Sequence, residues 1–459
     1  MSAPTAPADG VRVFGHVLVN TLVANVTTSF LWFALTFWVY LETRSVLATG
    51  VVGGAYMLML AFFAMLFGTI VDRHRKRDVL VGSSVVTMAS FALAGLLYAI
   101  VGPAAIVDMS GPWFWLFAGI VLFGSVVESM RNIALSTLVT LLIRDGRRDR
   151  ANGLVGTVQG LAFIVTSVFS GLAIGQLGMG WTLVIANVLT VCTMLHLFFV
   201  HVPEERPEAV GESAPRVDVR GALTAIGLVP GLFALIIFTT FNNLISGVFM
   251  ALMDPYGLTL FSVEWWGIVF GIGSTGFILG GLIIARWGLG SNPVRTMLWV
   301  VVAMGILNAT FTIREWEWLC VLGIWLFLLM IPAVEAAEQT VIQRVVPFAS
   351  QGRVFGFAQA FESAAAPVTA FLIAPIAEFW VIPYLDSDAG AGQWAWLVGR
   401  GDARGIALVF FFAGMIMVFA ALAVFGTRSY RLLSDQYRSS APDPAAAQDP
   451  GFGSTETVR

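Results

Sequence analysis

Apolar positions in this chain come in long unbroken runs, not in the alternating or three-four spacing of half-buried surface elements. Twelve runs, each of roughly 20 residues and long enough to cross a hydrocarbon core about 30 Å thick, can be marked. They occupy residues 13–41, 48–71, 79–102, 113–143, 152–177 and 179–202, then 229–253, 263–287, 296–313, 318–346, 354–384 and 405–426. Helices that are apolar all round belong in lipid or deep in a large core. The pattern therefore predicts an all-α polytopic membrane protein with twelve transmembrane helices. Between the sixth and seventh runs, residues 203–221 (PEERPEAVGESAPRVDVRG) are rich in Pro, Glu, Gly and Arg and read as a flexible linker. Two six-helix bundles, 1–202 and 222–430, are expected on either side of it. Residues 431–459 are expected to form a disordered cytoplasmic tail.

Composition excludes the soluble alternative. Of 459 residues, 58% are hydrophobic and only 12% charged, against about 25% charged in a typical soluble domain. The net charge of −3 gives no sign of a nucleic-acid partner. Cys192 and Cys320 both fall inside apolar runs and offer neither a disulfide framework nor metal-ligand spacing. The polar start MSAPTAPADGVR lacks the features of a removable signal peptide. With the N-terminus placed in the cytoplasm, 20 of the 25 Lys and Arg residues lie on the cytoplasmic side and four outside, leaving Arg131 within the membrane. That asymmetry follows the positive-inside rule and supports cytoplasmic termini and an even number of spans. Arginine outnumbers lysine 24 to 1, a bias that suggests a GC-rich bacterial genome and hence the bacterial inner membrane.

The two halves repeat one another. RANGLVGTVQG (150–160) aligns with RVFGFAQAFES (353–363), which pairs Arg150 with Arg353, Gly153 with Gly356 and Gln159 with Glu362. VESMRNIALSTLV (127–139) aligns with VEAAEQTVIQRVV (334–346), pairing Glu128 with Glu335 and Arg131 with Glu338. A fainter match in spans 1 and 7 pairs Asn25 with Asn243. GTIVDRHRKR (68–77) aligns with GLIIARWGLG (281–290): Gly68 meets Gly281 and Arg73 meets Arg286, but Asp72 meets Ala285. Paired repeats of this kind describe an alternating-access carrier with its site near the midplane between the halves.

The pattern G-x-x-x-D-R-x-x-R-K/R between spans 2 and 3 of a 6+6 chain resembles the signature loop of the major facilitator superfamily, over roughly residues 12–430. DRHRKR, RANGL and QRVVPFASQGRVFG together look like the branch holding enterobactin exporters and macrolide or multidrug efflux pumps. Arg75 stands where the family often has a second glycine. The glycine stretch GLAFIVTSVFSGLAIG (160–175) lacks the proline that marks many drug–proton antiporters. PEERPE superficially resembles the sugar-porter signature and is read as ordinary linker composition. The resemblance implies a gating latch made of Gly68, Asp72, Arg73, Arg75, Lys76 and Arg77 against Arg353 and Gly356. In it Gly68 lets span 2 approach span 11, and Asp72 sits at the N-terminal end of span 11, where the helix dipole favours an anion.

Charges inside the membrane are costly and point to function. Glu128 and Arg131, three apart on one helix, either form a structural ion pair or face substrate and protons. Glu335 and Glu338 share the same spacing with like charge and resist double ionisation in a low dielectric. With Arg131 across the cavity, they are candidates for coupling proton movement to transport. Glu362 is a candidate for gating or protonation, or for a structural hydrogen bond. His16 and His196 read as packing residues. Asn25, Phe30, Phe33, Gln159, Phe238, Asn242 and Asn243 are candidate cavity residues, because aromatic walls with sparse amides suit a bulky amphipathic ligand. The expected function is secondary active export of amphipathic small molecules by a monomer, driven by the proton gradient, with no enzymatic activity, cofactor or metal. The alternatives are a dedicated carrier of one metabolite or lysolipid, and a non-transporting scaffold or sensor.

Overall fold

The computed structural model describes residues 7, 9–43, 46–108, 110–204, 217–399 and 403–440. Among them the chain is helical, with no strand. The first half comprises α1 (Gly10–Thr43), α2 (Val46–Arg73), α3 (Lys76–Val101), α4 (Pro103–Val107), α5 (Pro112–Glu128), α6 (Met130–Leu142) and α7 (Arg148–Phe199). The second comprises α8 (Val219–Gly227), α9 (Leu232–Leu260), α10 (Val263–Trp287), α11 (Pro293–Thr310), α12 (Glu317–Val345), α13 (Phe348–Ile376), α14 (Ile382–Asp386), α15 (Asp388–Val398), α16 (Arg404–Gly426) and α17 (Arg428–Ser439).

Eleven segments among the described residues are long and apolar enough to cross a membrane. The twelfth expected span lies in α7. This 52-residue stretch is broken at Gly178, whose φ of +76° is left-handed and costs a glycine little. Residues 148–177 and 179–199 are thus separate rods, with the break at the expected boundary of spans 5 and 6. Span 4 is not one helix: α5 gives way to α6 at Ser129, whose hydroxyl donates to the Val126 carbonyl at 2.6 Å. Span 11 ends in a π-helical turn, Ala377–Val381, before α14.

Two expectations are corrected. The tail was to be disordered from residue 431, yet Arg428–Ser439 is helical. Thr427 caps it by accepting from the Tyr430 N–H at 3.2 Å, and Leu433 and Tyr437 are buried. An amphipathic helix with an apolar seat needs no high hydrophobicity to be ordered. The expected linker also ends early. Asp218 caps α8, accepting from Gly221 N–H at 2.8 Å, so helix begins at Val219. The linker interior, 205–216, and the tail beyond 440 lie outside the described residues.

The outer surface is apolar: Phe62, Phe199 and Phe371 are 78%, 88% and 81% exposed. Lipid tails are as apolar as these rings, so burial cannot drive one helix onto another, and close packing of small residues must. The two most extensive crossings between the halves are α2 on α13 and α7 on α10. At the first, a Cβ on Gly68 would overlap the Gly352 carbonyl, and one on Gly356 would overlap the Ala64 carbonyl. At the second, a Cβ on Gly153 would overlap the Ala285 amide and the Gly281 carbonyl. These are the glycines that the internal repeat pairs, so the repeat appears in space as two equivalent backbone-to-backbone contacts. Gly153→Leu should destabilise the protein by about 1–3 kcal/mol, the usual cost of overpacking. Gly53→Leu, with no atom within 4 Å of an added Cβ, should stay within about 0.5 kcal/mol of the native protein. Thermal unfolding in detergent measures both.

Candidate functional site

Polar contacts between the halves concentrate at one end of the bundle, which carries the turns at 73–75, 143–147, 288–292 and 346–347. Asp72, in the last turn of α2, is 7% exposed. It accepts from the backbone N–H of Gly352 at 2.6 Å and of Arg353 at 3.0 Å, and from Arg353 Nε at 2.8 Å. The carboxylate therefore lies over the N-terminal turns of α13, where the helix dipole favours it. Arg353 Nη1 donates on to Asp218 at 2.6 Å, and the Asp218 backbone N–H donates to Thr69 Oγ1 at 3.1 Å. The chain Asp72–Arg353–Asp218 ties α2, α13 and α8 together, and Gly68 and Gly356 permit the approach.

The cations of the same loop separate by position. Lys76, the single lysine, is buried. Its Nζ lies 3.0 Å from Glu204 Oε1, and its backbone N–H donates to Glu204 Oε2 at 2.6 Å. The ammonium also sits 4.7 Å from the ring centroid of Phe348 at the start of α13. Glu204 belongs to the PEERPE stretch that composition alone reads as linker. Arg77 donates to the last carbonyls of α7, Leu197 at 3.4 Å and Phe198 at 3.0 Å. Arg75 is exposed ahead of α3, and Arg73 is half-buried at the end of α2.

A second set of contacts across the same end has no motif in the sequence. Asp145 receives Arg148 Nη1 at 2.8 Å and, from the other half, Arg344 Nη2 at 2.5 Å. The Arg344 guanidinium lies 4.0 Å from the centroid of the Tyr437 ring of α17. Burial pushes the Tyr437 hydroxyl up to about 12, so the ring stays neutral and its face is available to the cation. Asn152 Nδ2 donates to Thr340 at 2.8 Å and to Gln343 Oε1 at 2.9 Å, and Gln343 Nε2 donates to the Ser136 carbonyl at 2.9 Å. In RANGL and VIQRVV the repeat signal falls on the glycine and arginine, and these amides pass as neutral helix residues.

Deeper in the bundle the charges fall into two groups. Arg131, fully buried, donates to Glu128 Oε1 at 2.5 Å, Asn20 Oδ1 at 2.6 Å and Ser84 Oγ at 2.6 Å. Thr87 donates to Glu128 Oε2 at 3.2 Å, and Asn20 in turn donates to the Thr193 carbonyl at 2.8 Å. The expected link from Arg131 across the cavity to the second-half carboxylates is corrected. Its guanidinium is engaged by α1, α3 and α5 of its own half, which meets the demand that a buried charge be paired and hydrogen-bonded.

In the second half, Thr239 Oγ1 of α9 lies 2.7 Å from Glu362 Oε1 and 3.1 Å from Glu338 Oε1. Glu338 and Glu362 thus converge on one hydroxyl. Two carboxylates so placed in a low dielectric resist double ionisation. The touching pair is thus Glu338 of α12 with Glu362 of α13, in place of the expected Glu335 with Glu338. Glu335 lies one turn earlier on α12 and is half-buried. Residues three apart on one helix share a face, but the neighbouring helix supplies the partner.

The candidate lining residues divide similarly. Asn25 Nδ2 reaches Asn132 Oδ1 at 3.4 Å, and Asn243 Nδ2 bonds back to the Thr239 carbonyl at 3.0 Å. Asn242 is 8% exposed and its Oδ1 has no hydrogen-bond partner among the described residues. Phe33 packs edge-on against Trp32, with centroids 4.7 Å apart, and near Phe163 at 6.2 Å. Gln159 is half-buried on α7. Phe30 is 4% exposed, and its carbonyl accepts from Ser170 of α7 at 3.2 Å, placing it at a helix–helix seam. Phe238 does not face the cavity either. It lines a small recess with Val294, Met297, Val424 and Leu433, beneath α17.

Comparison with known proteins agrees with this architecture. The profile of the Major Facilitator Superfamily matches residues 17–370. Macrolide efflux protein A of Streptococcus pyogenes is 21% identical over 379 residues, spanning 80% of this chain and 89% of that protein. Its counterpart in Enterococcus faecalis is 21% identical over 322 residues, or 67% and 94% of the two chains. Among solved structures, a bacterial homologue of the iron transporter ferroportin in its outward-facing state superposes with a TM-score of 0.67 at 13% identity, covering 90% of this chain and 98% of that one. The human organic anion transporter MFSD10 (TETRAN) gives 0.61 at 15%, covering 90% and 100%. At such identities the structural likeness is one of fold alone. The profile, however, spans most of the sequence and both halves of the repeat: this multi-pass membrane protein belongs to the Major Facilitator Superfamily and is one of its transporters.

Proposed function

We propose that the chain exports amphipathic or hydrophobic small molecules across a bacterial inner membrane, as a monomer with cytoplasmic termini, in exchange for protons. One observation carries this reading: two carboxyl groups, Glu338 and Glu362, brought together on the Thr239 hydroxyl where α9, α12 and α13 meet inside the bilayer. A proton is the smallest cargo that neutralises such a pair, and moving it on and off changes the charge of the cavity wall by one unit. The likeness to macrolide efflux proteins supports the outward direction and a bulky substrate. So does the aromatic group formed by Trp32, Phe33, Phe163 and Tyr56, the last with its ring centroid 5.1 Å from that of Trp32.

With the termini inside, the closed end is the cytoplasmic one and the structure is an outward-facing state. Its closure rests on Asp72 over α13 and on the Asp145–Arg344 pair. Alternating access then requires these contacts to break while the glycine crossings act as pivots. Two outcomes are expected. Asp72→Asn should lower export in everted vesicles about tenfold, the worth of one charge-assisted hydrogen bond or a little more, with the amount of protein in the membrane unchanged. Normal export by this variant would return the loop to a topological anchor. Glu338→Gln and Glu362→Gln should each abolish proton-driven accumulation of a macrolide probe in proteoliposomes yet leave probe–probe exchange running. Driven transport surviving in both variants would remove the pair from the coupling step.

A further inference from the structure

The second copy of the signature loop has Ala285 where the first has Asp72, so the repeat suggests that one latch has been lost. The contacts show otherwise. Asp149, in the first turn of α7, accepts from the Leu289 backbone N–H at 2.9 Å, just beyond the end of α10. Its other oxygen accepts from the Arg150 N–H at 2.8 Å. Gly288, at φ +75°, leaves room for the carboxylate, which a Cβ there would overlap. Extending the alignment of RANGL with RVFGF by one residue places Asp149 opposite Gly352.

The two crossings are therefore complementary. At α2 and α13, the carboxylate is on the helix of the signature loop (Asp72) and the facing position is glycine (Gly352), whose Cβ would collide with it. At α10 and α7, the loop helix carries the small residue (Ala285), packed against Gly153, and the facing position carries the carboxylate (Asp149). Each crossing has one carboxylate, one small residue opposite, and a backbone N–H of the other half as donor. We propose that Asp149 is the second latch, the counterpart of Asp72 with the carboxylate moved to the partner helix, so that two carboxylate contacts in pseudo-symmetric places add to the Asp145–Arg344 pair in holding this end shut. Asp149 is a positioning residue: it touches neither substrate nor the Glu338–Glu362 pair. The inference rests on the proposed reading that this end opens and closes.

The test is a double-mutant cycle read by spin-label distances between exposed Arg144 and Arg295, one on each half, after replacing Cys192 and Cys320. It reports opening without reference to transport. Asp149→Gly alone should raise the ratio of open to closed molecules about three- to tenfold, the worth of one such hydrogen bond. Ala285→Asp alone should do the same, by setting a second carboxylate beside Asp149. The double variant rebuilds the first copy's arrangement and should return the ratio to within about twofold of native, a strong coupling between neighbouring sites. An unchanged ratio in Asp149→Gly, or a double variant as open as the singles combined, would overturn the proposal. If Asp72→Asn opens this end and the Asp149 variants do not, Asp149 alone is refuted; if none does, the gating reading fails with it. Should Asp149→Gly not purify as folded protein, Ala285→Asp against the double variant decides: closure recovered in the double supports the second latch, and closure not recovered refutes it.

Discussion

The bilayer interior offers no water, so every charge placed there must find its neutraliser inside the protein. The two halves meet that demand in different ways. In the first, Glu128 and Arg131 cancel each other, and Asn20, Ser84 and Thr87 take up remaining hydrogen-bonding capacity. Removing one partner of such a pair costs about 3–5 kcal/mol, because the other is left stranded. In the second, the repeat places Glu338 opposite Arg131, and the local cation is gone. Glu338 and Glu362 meet instead on the Thr239 hydroxyl, and in the proposed coupling their neutrality depends on a proton that can leave. On that reading the same position serves a permanent pair in one bundle and a conditional one in the other.

At the closed end the demand is relaxed, and a division of labour follows. The glycine crossings are backbone on backbone and, in the proposed alternating access, serve as the pivots on which one half tilts against the other. The carboxylate, amide and arginine contacts around them are individually worth about 1 kcal/mol net, somewhat more when charged. A handful of them is the right order to bias a two-state equilibrium by a few kcal/mol without locking it. Stronger closure would trap the molecule, and weaker closure would leave it open on both sides.

Much of this was legible in the sequence because lipid imposes a blunt code. Run length located most spans to within a few residues, with α9 ending and α13 beginning six or seven residues away from the runs, and the repeat identified Gly68, Gly153, Gly281 and Gly356 before they met in space. Asp72 was legible because it is a lone acid among cations, in a loop resembling a known motif. The rest depends on which helix lies next to which, and spacing along one helix cannot reveal that. Glu335 and Glu338 share a face, yet the partner of Glu338 comes from α13. Phe238 looks like a cavity residue in the sequence because the helix that covers it, α17, has a polar average composition and reads as tail. Glu204 was invisible inside an ordinary-looking Pro/Glu segment, although it holds the only lysine.

That lysine has a consequence for anyone handling the protein. Its ammonium is wedged between Glu204 and the Phe348 ring at the junction of the two halves, and the sequence offers no other side-chain amine. Reagents that acylate amines therefore meet a molecule whose one internal target is sequestered while the junction is shut. If this end opens as proposed, reactivity at Lys76 becomes a built-in reporter: silent in the closed form, it develops only as the ends of α3 and α13 separate.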